Sequence, residues 1–442
     1  MVSQAKAVSG SNPSQSHYKQ KTFTALNIPV YRFFFGSLLG QMAAMNMDMV
    51  ARSWFMYELT NSATMLGAVN LVGAIPMLTI SLFGGVLADR MSKKTILIAG
   101  QFASSLVALG LAISITLGTV SWVYLFIAAF LQSLVMSLIM PARQAIIYEL
   151  VGENTLMNAI ALNAAAMNLL RLLAPAFAGY AIAFWRIEGV YYITSGLYVM
   201  GLLFAIRLPY IRSVVQEESR EGSFQQLKGG LHYIRHNANV MAILLVTLLV
   251  TVLSMPYMFL LPIFTKDIFT VDVARFGNLT SLPLIGPLLL GLKQSSARQG
   301  LLISISGIGA LIGSLYVAGM SNKRRGLIYL LSLLIAGLSL VCFSITNSFF
   351  IAMLTFIPLG LGQAGRMSLS NTLLQTYTED VYRGRVMSVY MMEFGITNVG
   401  VFLVSILADI FGVQWALGGA AGLLVVISLI YLFATPRIRN MD

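Results

Sequence analysis

The sequence predicts an all-α membrane protein with twelve transmembrane helices, arranged as two pseudo-symmetric six-helix bundles. Of its 442 residues, 57% are hydrophobic and only 10% are charged, a composition that soluble proteins do not have. Apolar runs of roughly 20 residues, the length that spans a bilayer, follow one another along nearly the whole chain. Lysines and arginines collect in alternate connections between these runs, as the positive-inside rule requires.

The first bundle is predicted over residues 29–207. A polar stretch, 1–28, precedes it and lacks the apolar core of a signal peptide, so we expect a disordered cytoplasmic tail. The six apolar runs of this bundle fall near 31–57, 63–88, 95–117, 122–149, 157–184 and 190–207.

A charged linker, 208–239, is predicted to separate the bundles on the cytoplasmic face, with an amphipathic helix between Phe224 and His236. The second bundle is predicted over 240–435, followed by a cytoplasmic tail, 436–442. Its six apolar runs fall near 240–264, 299–319, 326–345, 349–374, 385–409 and 414–434.

An insertion near 270–298 interrupts the second bundle. Its apolar part, Thr280 to Leu292, is thirteen residues long with two prolines, which is too short to cross a bilayer. We expect an interfacial or re-entrant element on the outer face. A tolerated insertion and a lid over the pathway are both compatible with this pattern.

The formal charge of +12 does not indicate nucleic-acid binding, because its placement follows membrane topology. The basic connections place both termini in the cytoplasm of a multi-pass protein of the plasma (inner) membrane, in contact with membrane lipid. An even number of spans agrees with this orientation.

The segment from Gly85 to Lys94 places a turn and four charges between two apolar runs. It resembles the signature loop of the major facilitator superfamily, Gly-x-x-x-Asp-Arg/Lys-x-Gly-Arg/Lys-Arg/Lys, with Ser92 at the second glycine. The resemblance covers roughly 30–435. Three further markers, Trp54 to Ser62, Pro141 to Gln144 and Arg383 to Arg385, resemble the exporter branch that includes macrolide efflux pumps and the enterobactin exporter.

The resemblance implies the major facilitator fold, a monomer, a small-molecule substrate, export and exchange for protons. It also implies a cytoplasmic latch in which Asp89 meets the start of the eleventh span beside Arg385, where a helix N-terminus favours a carboxylate. The alternative is that these charges only fix topology. The latch candidates are Gly85, Asp89, Arg90, Lys93, Lys94 and Arg385.

No motif supports an enzyme. The chain has no Gly-x-x-x-x-Gly-Lys-Ser/Thr loop, no His-Glu-x-x-His pattern, no paired cysteines and no nucleophile elbow, so we expect no cofactor and no metal. Energy then has to come from a gradient: a proton entering down the membrane potential yields about 2.3 kcal/mol per 100 mV.

Ionisable residues inside the spans are the candidate functional groups, because each costs on the order of 2.5–3.5 kcal/mol at mid-membrane unless it is paired or hydrated. The resemblance places four of them on the central cavity and two, Arg171 and Glu393, at the seam that gates it. The six are Asp48, Arg52, Arg143, Arg171, Arg366 and Glu393.

Asp48 and Glu393 are the candidate proton carriers. Asp48 lies four residues before Arg52 on one helix face, so the two can form either a switchable or a permanent ion pair. Glu393 is expected about two turns into the eleventh span, where desolvation favours the protonated carboxyl group. The alternative for Glu393 is a structural carboxylate held by Arg366 or Arg143.

These features predict a secondary transporter that exports an amphipathic small molecule by proton antiport and alternating access. Two alternatives stay open at this point. One is uptake or lysolipid movement by the same fold, and the other is a membrane sensor or assembly subunit that does not transport. An open polar cleft containing Asp48 and Arg366 would oppose the sensor.

Overall fold

A computed structural model of the chain describes residues 24–90, 92–210, 223–271, 286–320, 324–434 and 436–442. Within these ranges, the side chains of 80–90, 153–154, 223–228, 394 and 436 lie outside the description. Most of the predicted tail and part of the 270–298 insertion are therefore outside the described residues. The described part is almost entirely helical.

Five helices form the first bundle, and the fifth is long enough to supply two passes. A short 3₁₀ turn, Thr24–Asn27, precedes them. They are α1 (Pro29–Thr60), α2 (Ala63–Arg90), α3 (Lys93–Thr116), α4 (Trp122–Val151) and α5 (Glu153–Ile206).

A linker helix and the second bundle follow. The linker helix is α6 (Ser223–His236), and a π-helical turn, Phe264–Ile268, extends the end of α8. The helices of the second bundle are α7 (Ala238–Ser254), α8 (Pro256–Ile263), α9 (Gly286–Gly291), α10 (Ser295–Ala318), α11 (Arg325–Ile345), α12 (Phe349–Tyr377), α13 (Asp380–Met391), α14 (Glu393–Phe411), α15 (Val413–Ala434) and α16 (Pro436–Arg439).

Each of the twelve predicted runs falls in helical structure, which agrees with the predicted fold class. Nine helical segments of the described part are long and apolar enough to cross a bilayer. One of these, 155–206, breaks only at Arg186, whose φ is 60°, and supplies two passes where the sequence predicted a longer connection. Helix α1, which carries Asp48 and Arg52, and α2 complete the twelve.

Two predicted spans are interrupted helices. Proline at position 256 begins α8, so the seventh span consists of α7, α8 and the π-helical turn. The eleventh span divides at Met392 into α13 and α14. Interrupted spans place backbone groups and side chains at mid-membrane depth, which is where transporters bind their ligands.

The bundle has two distinguishable ends. We call the end that carries the α1–α2 turn at Asn61 the distal end, and the end that carries residues 24 and 442 the terminal end. At the terminal end, the backbone N–H of Gly326 donates to the carbonyl of Met441, 2.9 Å away, which ties the last residues to the start of α11.

The two bundles meet along two seams, α5 against α10 and α2 against α14. Glycines allow the close approach: a Cβ on Gly300 would lie 2.2 Å from the carbonyl oxygen of Pro175, and one on Gly179 would lie 2.3 Å from that of Ser296. In the other seam, a Cβ on Gly67 would lie 2.8 Å from the Cα of Phe402. Small residues are therefore required at these helix crossings.

Candidate transport site

The first bundle contains the predicted pair of Asp48 and Arg52. The Arg52 Nη2 and Asp48 Oδ2 atoms are 3.0 Å apart, and the Asp48 side chain is 9% exposed. The four-residue spacing brings the two groups together on one face of α1. Because the carboxylate is buried, it depends on Arg52 to compensate its charge.

One face of α4 packs against α1 and against the part of α5 that follows Arg186. Gln132, Met136 and Arg143 lie four and seven residues apart, so they share one face of the helix. Gln132 Nε2 donates to the hydroxyl of Tyr198 at 3.0 Å, and the amide of Gln41 lies 3.3 Å from the sulfur of Met136. Arg143 is buried, and its two terminal nitrogens have no hydrogen-bond partner among the described residues.

The second bundle contains a buried cluster of Thr251, Arg366 and Glu393. Arg366 Nη1 pairs with Glu393 Oε1 and also donates to Thr251 Oγ1, 2.8 Å away. Thr251 Oγ1 donates in turn to the same carboxylate oxygen at 2.6 Å. Arg366 is 2% exposed and Glu393 is 7% exposed, so the pair is well shielded from solvent.

Glu393 is the first residue of α14 and directly follows the break at Met392. The helix before it begins at Asp380, earlier than the apolar run, and the predicted depth of Glu393 in the bilayer stays a prediction. Its described partners belong to α7 and α12, and its side chain therefore points into the second bundle and not across the seam.

Three of the four cavity candidates are buried in the described part of the chain. Asp48, Arg143 and Arg366 are buried, whereas Arg52 is half-buried. Arg171 is exposed, and the next residue, Leu172, packs on Gly307, where an added Cβ would lie 3.2 Å from the Leu172 Cα. Arg171 thus lies beside the α5–α10 seam.

The structure describes the side chains of only some of the predicted latch residues. Gly85, Asp89 and Arg90 belong to α2, but their side chains lie outside the described residues. Lys93 pairs with Glu149 of α4, within the first bundle, and Lys94 is half-buried.

Arg385 packs beneath the linker helix at the terminal end. Its guanidinium carbon lies 5.7 Å from the ring centre of Tyr382. A Cβ on Gly230 would lie 2.8 Å from the Arg385 Cβ, so α6 crosses directly over this residue. The latch role of Arg385 stays a prediction.

Asp409, near the end of α14, caps the first turn of α2 in the other bundle. Its carboxylate accepts hydrogen bonds from the hydroxyl of Ser62 and from the backbone N–H groups of Ala63 and Thr64, each at 2.8 Å. A carboxylate at a helix N-terminus satisfies free N–H groups and is favoured by the helix dipole. The cap joins the two bundles at the distal end.

Other polar contacts strengthen the distal closure. Lys266 Nζ pairs with Glu58 at 3.0 Å and donates to Asn61 Oδ1 at 2.9 Å, and the Tyr57 hydroxyl donates to Asp267. The Trp54 indole N–H donates to Ser295 Oγ at 3.0 Å, and Gln299 Nε2 donates to Ser53 Oγ at 2.8 Å. The polar contacts between bundles for which both side chains are described thus lie toward the distal end.

We predict that Asp409→Ala opens the distal end more often. Loss of a helix cap costs about 0.5–2 kcal/mol, which lowers the closed-to-open ratio by up to about 30-fold. Electron paramagnetic resonance distances between spin labels at Thr119 and Asn347, exposed distal residues of the two bundles, would measure the change in a Cys342→Ser background. Asp380→Ala, at the terminal end, is the control, and equal distance distributions in both variants would contradict the cap.

Sequence reasoning missed several of these residues. Asp409 lies close to the end of an apolar run and looks like an ordinary boundary charge, and Thr251 looks like any small residue of a span. Arg298 was assigned to an outer loop, yet it is buried: its Nη2 donates to the carbonyl of Thr265 at 2.6 Å and its Nη1 to that of Leu292 at 2.7 Å. Only long-range contacts reveal these roles.

Comparison with known protein families agrees with this architecture. Residues 20–299 match the family described as transmembrane secretion effector, and residues 268–440 match the Major Facilitator Superfamily. The chain belongs to the major facilitator superfamily. It is therefore an integral membrane transporter of small molecules and not an enzyme.

Curated relatives in the superfamily align over most of the chain. The staphyloferrin A transporter of Staphylococcus aureus is 23% identical and covers 92% of this chain and 95% of its own length. Macrolide efflux protein A of Streptococcus pyogenes is 25% identical, with coverages of 88% and 91%. The enterobactin exporter EntS of Escherichia coli O1:K1 is 25% identical, with coverages of 79% and 76%.

Solved transporters share the fold. The nucleoside transporter NupG superposes with a TM-score of 0.70 at 14% identity, covering 91% of this chain and 98% of its own. A POT family transporter in complex with 5-aminolevulinic acid superposes with a TM-score of 0.72 at 14% identity, with coverages of 94% and 97%. At such identities the likeness concerns the fold alone.

Proposed function

We propose that the protein exports an amphipathic small molecule across the plasma (inner) membrane in exchange for protons, working as a monomer among membrane lipids by alternating access. The named efflux activities of the macrolide and enterobactin relatives support export. In this proposal both termini are cytoplasmic, so the distal end faces outward and the described conformation is closed on the outer side.

The observation that carries the proposal is the buried ion pair of Glu393 with Arg366. A carboxylate at this depth is costly unless it is paired, and protonation would free Arg366 and Thr251 from it. If Glu393 takes up a proton in one conformation and loses it in the other, proton movement is coupled to the movement of the bundles. Asp48, paired with Arg52 in the first bundle, is the second proposed proton carrier.

Alternating access follows from the two ends of the bundle. The distal contacts, with the Asp409 cap among them, would break on outward opening, while the terminal end would close. The proposed latch of Asp89, with Gly85, Arg90, Lys93, Lys94 and Arg385, would then form at the cytoplasmic side.

Purified protein in liposomes with an imposed pH gradient tests the proposal. Two labelled probes, a macrolide and the amphipathic carboxylate indole-3-acetate, cover both charge types. We expect at least one of them to accumulate on the acidic side above the level in protein-free liposomes, and to lose this accumulation when a protonophore collapses the gradient. Addition of the transported probe on the alkaline side should also release protons there from the acidic interior. Accumulation that continues in the presence of the protonophore would exclude proton antiport. Counterflow of labelled lysolipid without movement of either probe would favour the lipid-moving alternative.

A further inference from the structure

The first bundle holds a buried arginine whose charge no described group neutralises. Arg143 is 6% exposed, and its Nη1 and Nη2 atoms are buried without a hydrogen-bond partner. Two carboxylates of α1 and α4 are already engaged: Asp48 pairs with Arg52, and Glu149, further along α4, pairs with Lys93. An uncompensated buried charge is expensive, so the ligand-free protein stores unfavourable free energy at this position.

The second bundle contains an arginine at a similar position, Arg366, that has both an ion-pair partner and hydrogen-bond partners. Helices α4 and α12 are each the fourth pass of their bundle. Arg143 lies about two turns before the terminal end of α4, and Arg366 about three turns before that of α12. Arg366 receives the carboxylate of Glu393, the hydroxyl of Thr251 and the amide oxygen of Gln363, whereas Arg143 receives none of these from the described residues.

We propose that a carboxylate of the transported molecule takes, on Arg143, the place that Glu393 takes on Arg366. The inference rests on the proposed function and names its substrate class: an amphipathic carboxylate. Neither Nη atom has a hydrogen-bond partner in the described part of the chain, and a guanidinium presents the two in a planar fork that matches the two oxygens of a carboxylate. The excess positive charge of the first bundle disfavours an amphipathic cation at the same position.

Access to Arg143 is consistent with this assignment. Roughly 12 Å of helix separates it from the end of α4, and the described polar contacts between the bundles lie toward the opposite, distal end. A ligand that enters from the terminal end thus meets Arg143 before the distal closure, once the helices that bury Arg143 in this conformation separate.

Thermal unfolding of the ligand-free protein in detergent gives the first test. We expect Arg143→Met to raise Tm by several degrees, because it removes a buried charge without breaking a bond. Arg366→Met should lower Tm, because it leaves Glu393 unpaired. Arg186→Met, at an 85% exposed side chain, should change little. A fall of Tm in Arg143→Met that matches Arg366→Met would show that Arg143 is already satisfied and would overturn the proposal.

A matched pair of probes gives the second test. We expect wild-type protein to bind indole-3-acetate at least about tenfold more tightly than the neutral indole-3-acetamide. Arg143→Met should bind both alike, and Arg143→Lys, which keeps the charge without the fork, should keep part of the preference. No preference in the wild type, or an unchanged preference in Arg143→Met, would overturn the proposal. Binding is measured without a gradient, so a failure of proton coupling leaves this result unaffected.

Discussion

Glu393→Gln should abolish gradient-driven transport and leave exchange without a gradient intact. Glutamine has the shape of the protonated carboxyl group but can neither take up nor release a proton. Arg366 then faces a neutral amide in both conformations, so proton movement no longer drives the change between them. We expect uptake into liposomes with a pH gradient to fall to the level of empty liposomes, while counterflow of the labelled probe that the wild type transports continues.

A control with the same chemical change separates coupling from general damage. Glu379 is exposed at the terminal end, and Glu379→Gln should transport as the wild type does. Retained gradient dependence in Glu393→Gln would show that Glu393 only holds α12 and α14 together. Loss of counterflow along with gradient-driven uptake would instead show that the substitution blocks the conformational change itself.

The sequence identified most of the buried charges but not Arg298, and it overestimated the burial of Arg52 and Arg171. The cost of an ionisable group at mid-membrane depth singled out Asp48, Arg143, Arg366 and Glu393, which are all buried. The four-residue spacing also indicated the pairing of Asp48 with Arg52. For Glu393, however, both Arg366 and Arg143 were candidates, because periodicity within one helix says nothing about which helix lies opposite.

The same limit explains the missed residues and the helix boundaries. Asp409 caps a helix more than 300 positions away, and that contact depends on the α2–α14 seam. The connection between the fifth and sixth spans is one residue, Arg186, and is shorter than the apolar pattern predicts, because a single residue with positive φ is enough to redirect the chain. Met392 divides the eleventh span, where the apolar pattern alone indicates a continuous helix.

The two bundles pair their buried charges differently. In the second bundle, arginine, carboxylate and hydroxyl satisfy one another, an arrangement suited to switching by a proton. In the first bundle, Asp48 pairs with Arg52, and Arg143 has no partner among the described residues, which is the charge that we propose a ligand neutralises. A substrate carboxylate bound there and a proton bound near Glu393 would influence each other through the seams that both bundles share.

Gly300→Ala should prevent the distal end from closing. The added methyl group would lie 2.2 Å from the carbonyl oxygen of Pro175, a backbone atom that cannot turn aside, so α5 and α10 have to separate. Overpacking of this kind costs about 1–3 kcal/mol, enough to shift the closed-to-open ratio by roughly 5- to 150-fold. Transport should fall accordingly, since alternating access requires both conformations.

Spin-label distances between Thr119 and Asn347 would report the separation directly, with Gly422→Ala as the matched control. Gly422 lies in α15, and a Cβ there meets no atom within 4 Å, so the same substitution should leave distances and transport unchanged. If Gly300→Ala kept the wild-type distances and activity, the close crossing of α5 and α10 would not be needed for distal closure. If it opened the distal end while Asp409→Ala did not, helix packing and not the polar cap would hold this conformation shut.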